Sequence, residues 1–409
     1  MKYVIIGNSA AAVGCMEGIR KTDKKGDICV ISDERYHTYS RPLISYLLCA
    51  KTDEERMKYR DNDFYADNKC EVRLGLRVTQ IDARSKSITT SDGERIAYDK
   101  LLVATGSRAF VPPTEGYENV KDKFTFMSLD DAKALREVLG ADKRVLIIGA
   151  GLIGLKCAEG ISGQCKSITV VDMASRVLPN VLNEEAADIM RKHLNEKGIK
   201  IFTDTKVDKY EGQTALLSNA QTTDFDILVT AVGVRPNTEL LTEAGAKAQR
   251  GVVIDEYCKT SLEDIYAAGD VTQFHDVSSG TDKIMAIMPN AYLQGECAGV
   301  NMAGGCKEFT NAIPMNSTGL LGLHIITAGT YEGDCYIRKT KDSYKALFYK
   351  DDLLKGFILM GEVARAGIYT SLIRERKPLS SIDFELIEQK PQLMAFERKE
   401  RFMLMNRGF

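Results

Sequence analysis

The alternation of apolar and polar positions along the chain changes period several times, and its most regular feature is a unit that occurs twice. In each copy a short apolar run leads into a turn of small residues, then a stretch with helical spacing, then a second apolar run that ends on an acid. The first copy runs from Tyr3-Val4-Ile5-Ile6 through Gly7-Asn8-Ser9-Ala10-Ala11-Ala12 to Ile28-Cys29-Val30-Ile31-Ser32-Asp33-Glu34. The second runs from Val145-Leu146-Ile147-Ile148 through Gly149-Ala150-Gly151-Leu152-Ile153-Gly154 to Ile168-Thr169-Val170-Val171-Asp172. This order predicts two βαβ units with parallel strands, with Asp33 lying 26 residues beyond Gly7 and Asp172 lying 23 residues beyond Gly149, both spacings suiting such a unit and the second lying near the ~20 of a dinucleotide site. Two further runs, Leu101-Leu102-Val103-Ala104-Thr105-Gly106 and Ile265-Tyr266-Ala267-Ala268-Gly269-Asp270, predict a strand followed by a tight turn. Towards the end, residues 344–349 and 353–359 predict a hairpin around Lys350-Asp351-Asp352, with a helix near 365–374.

The residue types in the repeated unit carry a chemistry. Small side chains let the backbone and a helix N-terminus approach a pyrophosphate, while an acid at the end of the second strand accepts hydrogen bonds from ribose hydroxyls. In the first copy Gly7, Ser9, Ala10 and Ala11 would line the phosphates, with Asp33 or Glu34 on the ribose. In the second the corresponding residues are Gly149, Gly151, Leu152, Ile153 and Gly154, with Asp172. The alternative for either turn is a tight strand-to-helix connection and nothing more. It weighs more on the first copy, where Ser9 and Ala12 stand in place of glycines.

Composition narrows the partners. With 409 residues the chain predicts two or three domains at roughly 150 residues each. The 55 Lys plus Arg against 57 Asp plus Glu leave no positive surplus to neutralise phosphates, so nucleic acid is excluded as a main partner. No apolar run approaches the ~20 residues of a membrane span, and the opening Met1-Lys2-Tyr3-Val4-Ile5-Ile6 lacks a signal-peptide pattern. The expected location is the cytoplasm, with the ten cysteines reduced. The closest cysteine pairs, Cys157 with Cys165 and Cys297 with Cys306, are too widely spaced for CxxC redox or zinc motifs, and His37, His193, His275 and His324 are scattered, so no metal site is expected.

The two fingerprints taken with the turns at Ala104-Thr105-Gly106 and Ala268-Gly269-Asp270 resemble the pyridine nucleotide-disulfide oxidoreductase superfamily, flavoproteins with two dinucleotide-binding domains, over nearly the whole chain. The stretch Tyr39-Ser40-Arg41-Pro42-Leu43 and the tail from Asn311-Ala312-Ile313-Pro314 look most like NADH:rubredoxin and ferredoxin reductases and the flavin module of NADH-dependent nitrite reductases. The resemblance implies an α/β protein of two Rossmann-like domains, the NAD domain inserted in the FAD domain, plus a C-terminal α+β domain. The FAD domain would span 1–110 and 240–308, the NAD domain 111–239 and the last domain 309–409. It also implies FAD in the first fold and NAD(H) in the second. Asp270 would bond a ribityl hydroxyl of FAD, with a helix N-cap as its alternative role. Arg41 with Pro42 would contact the flavin cofactor, the arginine fork suiting a pyrophosphate. Arg108 is a further candidate for the pyrophosphate or the flavin edge, Val78 for a backbone contact to adenine, and Gly233 for close approach to the nicotinamide side. Asp172 would prefer NADH by repelling the extra phosphate of NADPH, a preference Arg176 could soften.

Three departures shape the expected chemistry. The disulfide reductases of this superfamily carry an early CxxxxC pair, and its thiol peroxidases carry one Cys after the first fold's acid; here Pro42 stands at that position, and Cys49 reads as packing. The family usually pairs a Lys after its Arg-Pro stretch with a Glu in the NAD fingerprint helix, whereas this chain has Tyr46 and Lys156 there. Lys156 is therefore expected near flavin N5, favouring the anionic reduced flavin, with a pairing to Glu159 along its own helix as the alternative. Residues 381–409 mix charges with apolar residues including Phe384, Ile387, Phe396, Phe402 and Met405, and read either as a docking tail or as packing on the C-terminal domain. The expected activity is an FAD-dependent NADH oxidoreductase. It takes hydride from NADH at flavin N5 and passes electrons, without a redox-active cysteine, to a small rubredoxin- or ferredoxin-like protein or a partner subunit. A thiol-independent NADH oxidase using dioxygen and a non-turnover NADH sensor are the alternatives.

Overall fold

Strand Lys2–Ile6 bonds in parallel to Asp27–Ser32 on one side and to Lys100–Val103 on the other. In the computed structural model, which describes residues 1–396, these strands form the centre of a five-stranded parallel sheet completed by Cys70–Leu74 at one edge and Ile265–Ala267 at the other. Val4, Ile5, Val30, Ile31, Leu101 and Leu102 are wholly buried, as expected of strands covered on both faces rather than alternating. A second five-stranded parallel sheet repeats the arrangement, in the order Ile199–Phe202, Ser167–Val171, Arg144–Ile148, Ile227–Thr230 and Lys123–Phe124. In both sheets one crossover carries a three-stranded antiparallel sheet: Val78–Asp82 with Ser87–Thr90 and Arg95–Ala97 between Cys70–Leu74 and Lys100–Val103 in the first, and Val207–Glu211 with Thr214–Leu217 and Thr222–Asp224 between Ile199–Phe202 and Ile227–Thr230 in the second. Strand Ile265–Ala267 joins the first sheet only after the chain has built the second, so the second fold is an insertion in the first.

The chain divides into two compact units. The larger holds both parallel sheets and comprises Met1–Val177, Gly198–His275 and Asp282–Thr310; the smaller comprises Leu178–Lys197, Asp276–Thr281 and, of the described residues, 311–396. The division cuts across the sequence-based boundaries in two places, residues 178–197 of the expected NAD domain and residues 276–281 of the expected FAD domain both falling in the smaller unit. Helix Glu184–Glu196, which connects Ser167–Val171 to Ile199–Phe202 of the inserted fold, packs on the C-terminal sheet, where Asn183 Nδ2 donates to the Tyr344 hydroxyl at 2.8 Å and His193 Nε2 lies 3.1 Å from the Leu320 carbonyl oxygen.

The smaller unit is an antiparallel sheet in the order Met315–Leu320, Leu323–Gly329, Leu353–Met360, Tyr344–Lys350 and Asp334–Lys339. The hairpin between Tyr344–Lys350 and Leu353–Met360 turns on Asp351 and Asp352, both at positive φ, the mirror-image turn that matches strand twist. Helix Ala366–Arg374 lays Tyr369, Leu372 and Ile373 on this sheet against Phe357, and Ile387 and Phe396 complete the same core. The described part of the apolar tail, through Phe396, therefore packs on its own unit, while Phe402 and Met405 lie outside the described residues. Among the described residues no helix is long and apolar enough to cross a membrane.

Within the larger unit, helices Ala10–Thr22 and Met288–Met302 meet at unusually short range. A Cβ on Gly14 or Gly18 would lie 2.2 Å from the Tyr292 carbonyl oxygen or 2.4 Å from that of Glu296, and one on Gly295 or Gly299 would lie 1.9 or 2.2 Å from those of Ala11 or Cys15. Two Gly-x-x-x-Gly stripes thus press the helix backbones together, and no larger residue fits at these positions.

Candidate functional site

Both parallel sheets end in the same turn. Gly7 and Gly149 share a φ of +111°, a conformation that disfavours any residue with a side chain, and a Cβ there would lie 2.2 Å from the Ala104 carbonyl oxygen or 2.3 Å from that of Ala231. The helices that follow, Ala10–Thr22 and Leu152–Ile161, begin at Ser9 and Gly151 with no side-chain cap and no acid in the first turn. Their first N–H groups and the positive end of each helix dipole are left for an anion. Gly151 has open space where a Cβ would stand, whereas one on Gly154 would strike the Gly149 carbonyl oxygen at 2.0 Å, which separates a glycine needed for ligand approach from one needed for helix packing.

Strand register shows how the two copies correspond. Gly7 N–H bonds the Ile31 carbonyl oxygen and Gly149 N–H that of Val171, both at 2.8 Å, so the residue equivalent to Asp172 is Ser32. Asp172 holds its turn in place, Oδ2 accepting from Ala150 N–H at 2.6 Å and Oδ1 from Ala174 N–H at 2.8 Å. Ser32 Oγ accepts the Glu34 N–H at 3.3 Å, the same bond two residues on. Of the two sequence candidates in the first copy, Asp33 is exposed beside Arg77, and Glu34 turns inward to bond Arg41 at 2.5 Å.

A charged cluster forms at the ends of the first sheet's strands. Asp270 caps no helix, since the chain continues from it into strand Thr272–Asp276; its Oδ2 accepts the Ser107 hydroxyl at 3.1 Å. Burial pushes the Asp270 carboxyl up, against the opposing pull of the Ser107 hydrogen bond and the Arg41 charge. Gln294 Oε1, on the helix Met288–Met302, accepts the Gly269 N–H at 2.8 Å, so the glycine contact between helices also sets the height of the Asp270 turn against the first fingerprint. Asn8 fastens that fingerprint from the other side, its Oδ1 accepting the Tyr65 hydroxyl at 2.9 Å while the Tyr65 oxygen accepts Thr38 N–H at 3.0 Å. Val78 opens the antiparallel sheet of the first fold with its side chain buried.

The chain crosses between the two folds at an antiparallel ribbon of Ser107–Ala109 with Val234–Pro236. Thr105 and Asn237 lock it reciprocally, hydroxyl to carbonyl and side-chain amide to carbonyl, both at 2.9 Å. Arg108 points along the ribbon to Asn237 Oδ1 at 2.8 Å and Glu239 at 2.6 Å, and is half exposed. Gly233, exposed and at φ +118°, has open space at its Cβ position. Helix Ile44–Leu48, just after Arg41 and Pro42, packs on Leu152–Ile161 at Gly160 and Leu48. There the Lys156 ammonium lies 4.5 Å from the Tyr46 ring centroid and pairs with Glu159. Cys49 Sγ points to the Tyr46 carbonyl oxygen at 3.6 Å, and burial pushes the thiols of Cys15 and Cys157, one on each fingerprint helix, well up.

Comparison with known proteins decides the family. The pyridine nucleotide-disulphide oxidoreductase description matches residues 1–295. The chain belongs to that family. It is 32% identical over 394 residues to the NADH-dependent phenylglyoxylate dehydrogenase subunit epsilon of Aromatoleum evansii, covering 93% of each chain. It is 27% identical to the NADH-rubredoxin oxidoreductase of Clostridium acetobutylicum, over 93% of this chain and 96% of that one. Its fold superposes on putidaredoxin reductase in the covalent complex with putidaredoxin with a TM-score of 0.88 at 24% identity, over 100% and 99% of the two chains. As a member, the chain is an oxidoreductase that works with FAD and NAD(H). Its donor sets fit both groups: two uncapped helix N-termini behind turns that admit no Cβ, and in the first fold a buried carboxylate beside an arginine fork.

The sequence pointed to the two turns, Arg41 and Asp270. It gave no role to Ser107 and Gln294, which hold Asp270 and Gly269 from 163 and 25 positions away, to Tyr65, which bonds Asn8 of the first turn from 57 positions away, or to Tyr39, which stands two residues from Arg41 and bonds Leu129. The Gly-x-x-x-Gly spacings at Gly14 and Gly295 went unread in the sequence, although such a spacing is a signal that two helices meet closely.

Proposed function

We propose that this protein oxidises NADH and delivers the electrons through FAD to a small redox protein or a partner subunit, with no cysteine taking part. The supporting observation is the pairing of two equivalent anion-accepting turns, Gly7-to-Ala12 and Gly149-to-Gly154, at the ends of two parallel sheets in one unit. Likeness along almost the whole chain to a protein named as one subunit of an NADH-dependent dehydrogenase supports the choice of a partner subunit as acceptor.

FAD, when bound, takes a hydride from the nicotinamide and gives electrons up one or two at a time. The chain's part is to bind, orient and bias. The N-terminal N–H groups of helix Ala10–Thr22, backed by Gly7, Ser9, Ala10 and Ala11, receive the FAD pyrophosphate, with Arg41 as the second anion-binding group. Glu34 in place of the exposed Asp33 is the inward acid of that fold, and Asp270 receives a ribityl hydroxyl. Pro42, Val78, the Ala104-Thr105-Gly106 turn, Arg108 and Gly269 line or support the same cofactor. Gly149, Gly151, Leu152, Ile153 and Gly154 receive the NADH pyrophosphate, Gly233 gives its backbone to the nicotinamide side, and Asp172 takes the ribose hydroxyls on the carboxylate positions its two backbone bonds leave open. Lys156 holds positive charge toward the flavin, its ammonium steadied by Glu159 and Tyr46.

Anaerobic rapid mixing of the FAD-loaded protein with NADH tests the reading. Flavin bleaching followed by fast reoxidation with ferricyanide and slow reoxidation in air is expected, with turnover kept in Cys49→Ser. Fast consumption of dioxygen would make the protein an NADH oxidase, and slow reaction with both acceptors would make it a sensor.

A further inference from the structure

We propose that Tyr39 is a positioning residue that aims the Arg41 guanidinium at the FAD pyrophosphate and ties it to the helix Leu129–Val138; this rests on the role given to Arg41 above. Tyr39 is buried, and its hydroxyl oxygen accepts two hydrogen bonds, from Arg41 Nη1 at 3.2 Å and from the Leu129 backbone N–H at 3.1 Å. Leu129 is the first residue of its helix. The capping box at that end is otherwise closed, with Ser128 Oγ accepting Asp131 N–H and the Asp131 carboxylate accepting the N–H groups of Ser128 and Met127. The Leu129 N–H is thus an orphan donor of the helix terminus that the tyrosine oxygen satisfies.

This arrangement fixes the plane of Arg41. Glu34 alone would hold one end of the fork, through Nη2 at 2.5 Å, and leave the guanidinium free to swing about that bond. Tyr39 supplies a second point, with the Met127 carbonyl oxygen 3.4 Å from the same Nη1 and the guanidinium carbon 5.3 Å from the Tyr39 ring centroid. The helix on the other side of the hydroxyl is held to the same segment a second time, where Tyr36 bonds Asp130 and Lys133 lies 4.6 Å from the Tyr36 ring centroid. An arginine so anchored loses less orientational freedom on meeting an anion than a free one.

The test is a double-mutant cycle on FAD affinity, measured by titrating the FAD-free protein and following the quenching of flavin fluorescence. Tyr39→Phe keeps the ring and removes the oxygen, and is expected to weaken FAD binding about three- to tenfold, the size of one hydrogen bond. Arg41→Ala is expected to weaken it more, and the double variant to bind no worse than Arg41→Ala, because Tyr39 acts only through the arginine. Arg41→Lys, which keeps the charge without the fork, is expected to reduce the Tyr39→Phe effect likewise. Thermal melts of the FAD-free variants check that each is folded. If Tyr39→Phe weakens binding by the same factor with and without Arg41, or not at all, the proposal is wrong while the role of Arg41 stands. If Arg41→Ala binds FAD normally, the role of Arg41 falls and the proposal falls with it.

Discussion

The Lys156 ammonium sits 4.5 Å from the ring centroid of Tyr46, so the two residues read from the sequence as exchanged for a Lys–Glu pair are in contact with each other. The cation comes from the fingerprint helix Leu152–Ile161 and the aromatic ring from the helix that follows Arg41 and Pro42. The pairing with Glu159 that the sequence offered as an alternative is also formed, from a lysine and a glutamate that are both largely buried.

Charge at Lys156 should tune the flavin. Lys156→Met removes the positive end of the pair and is expected to lower the two-electron potential by about 30 mV or more, equivalent to ~1.4 kcal/mol. Spectroelectrochemical titration against a reference dye measures it, and an unmoved potential would remove Lys156 from the site.

Asp270 should trade stability for cofactor binding. Its folded-state pKa is raised by burial, so the ionised group costs the FAD-free fold stability above that value, and the cost disappears as pH falls to the ordinary range near 3.8. Asp270→Asn should therefore melt higher than the parent in the FAD-free state at neutral pH, with the gap closing as pH falls toward 4. The same variant should bind FAD about tenfold more weakly or worse, through loss of a carboxyl acceptor for the ribityl hydroxyl. A variant that melted lower at neutral pH would contradict the sign.

Coenzyme choice should depend on Asp172. Asp172→Ala removes the ribose acceptor and also frees the Ala150 and Ala174 N–H groups it holds. The expected result is a KM for NADH raised by about tenfold and a smaller NADH-to-NADPH ratio of kcat/KM, from steady-state assays with ferricyanide. An unchanged ratio would place the discrimination elsewhere.

The contact between helices Ala10–Thr22 and Met288–Met302 should tolerate no Cβ. Gly299→Val would drive a side chain into the Cys15 carbonyl oxygen, 2.2 Å from the Cβ position, and is expected to cost about 1–3 kcal/mol or more. Denaturant titration measures it, and a parental midpoint would show that the helices can separate without loss.

Much of the architecture was legible because local rules carry it. Apolar runs such as Val4-Ile5-Ile6 and Val145-Leu146-Ile147, each closed at once by a glycine turn, read as strands buried on both faces, and a turn at Gly7 or Gly149 needs a backbone shape that glycine alone adopts readily. Residue chemistry likewise singled out Asp172, and the resemblance to the family singled out Arg41 and Asp270. What the linear order could not settle is which side chain faces inward. Asp33 and Glu34 are adjacent and equally acidic, and only the register of Lys2–Ile6 on Asp27–Ser32 turns Glu34 toward Arg41 and leaves Asp33 on the surface. The supports of the site, Tyr39 on Leu129, Ser107 on Asp270 and Gln294 on Gly269, join residues 90, 163 and 25 positions apart. Such bonds follow from where packed helices and sheets bring the chain back on itself. No local pattern encodes that geometry, and so the tertiary structure alone decided how the site is held.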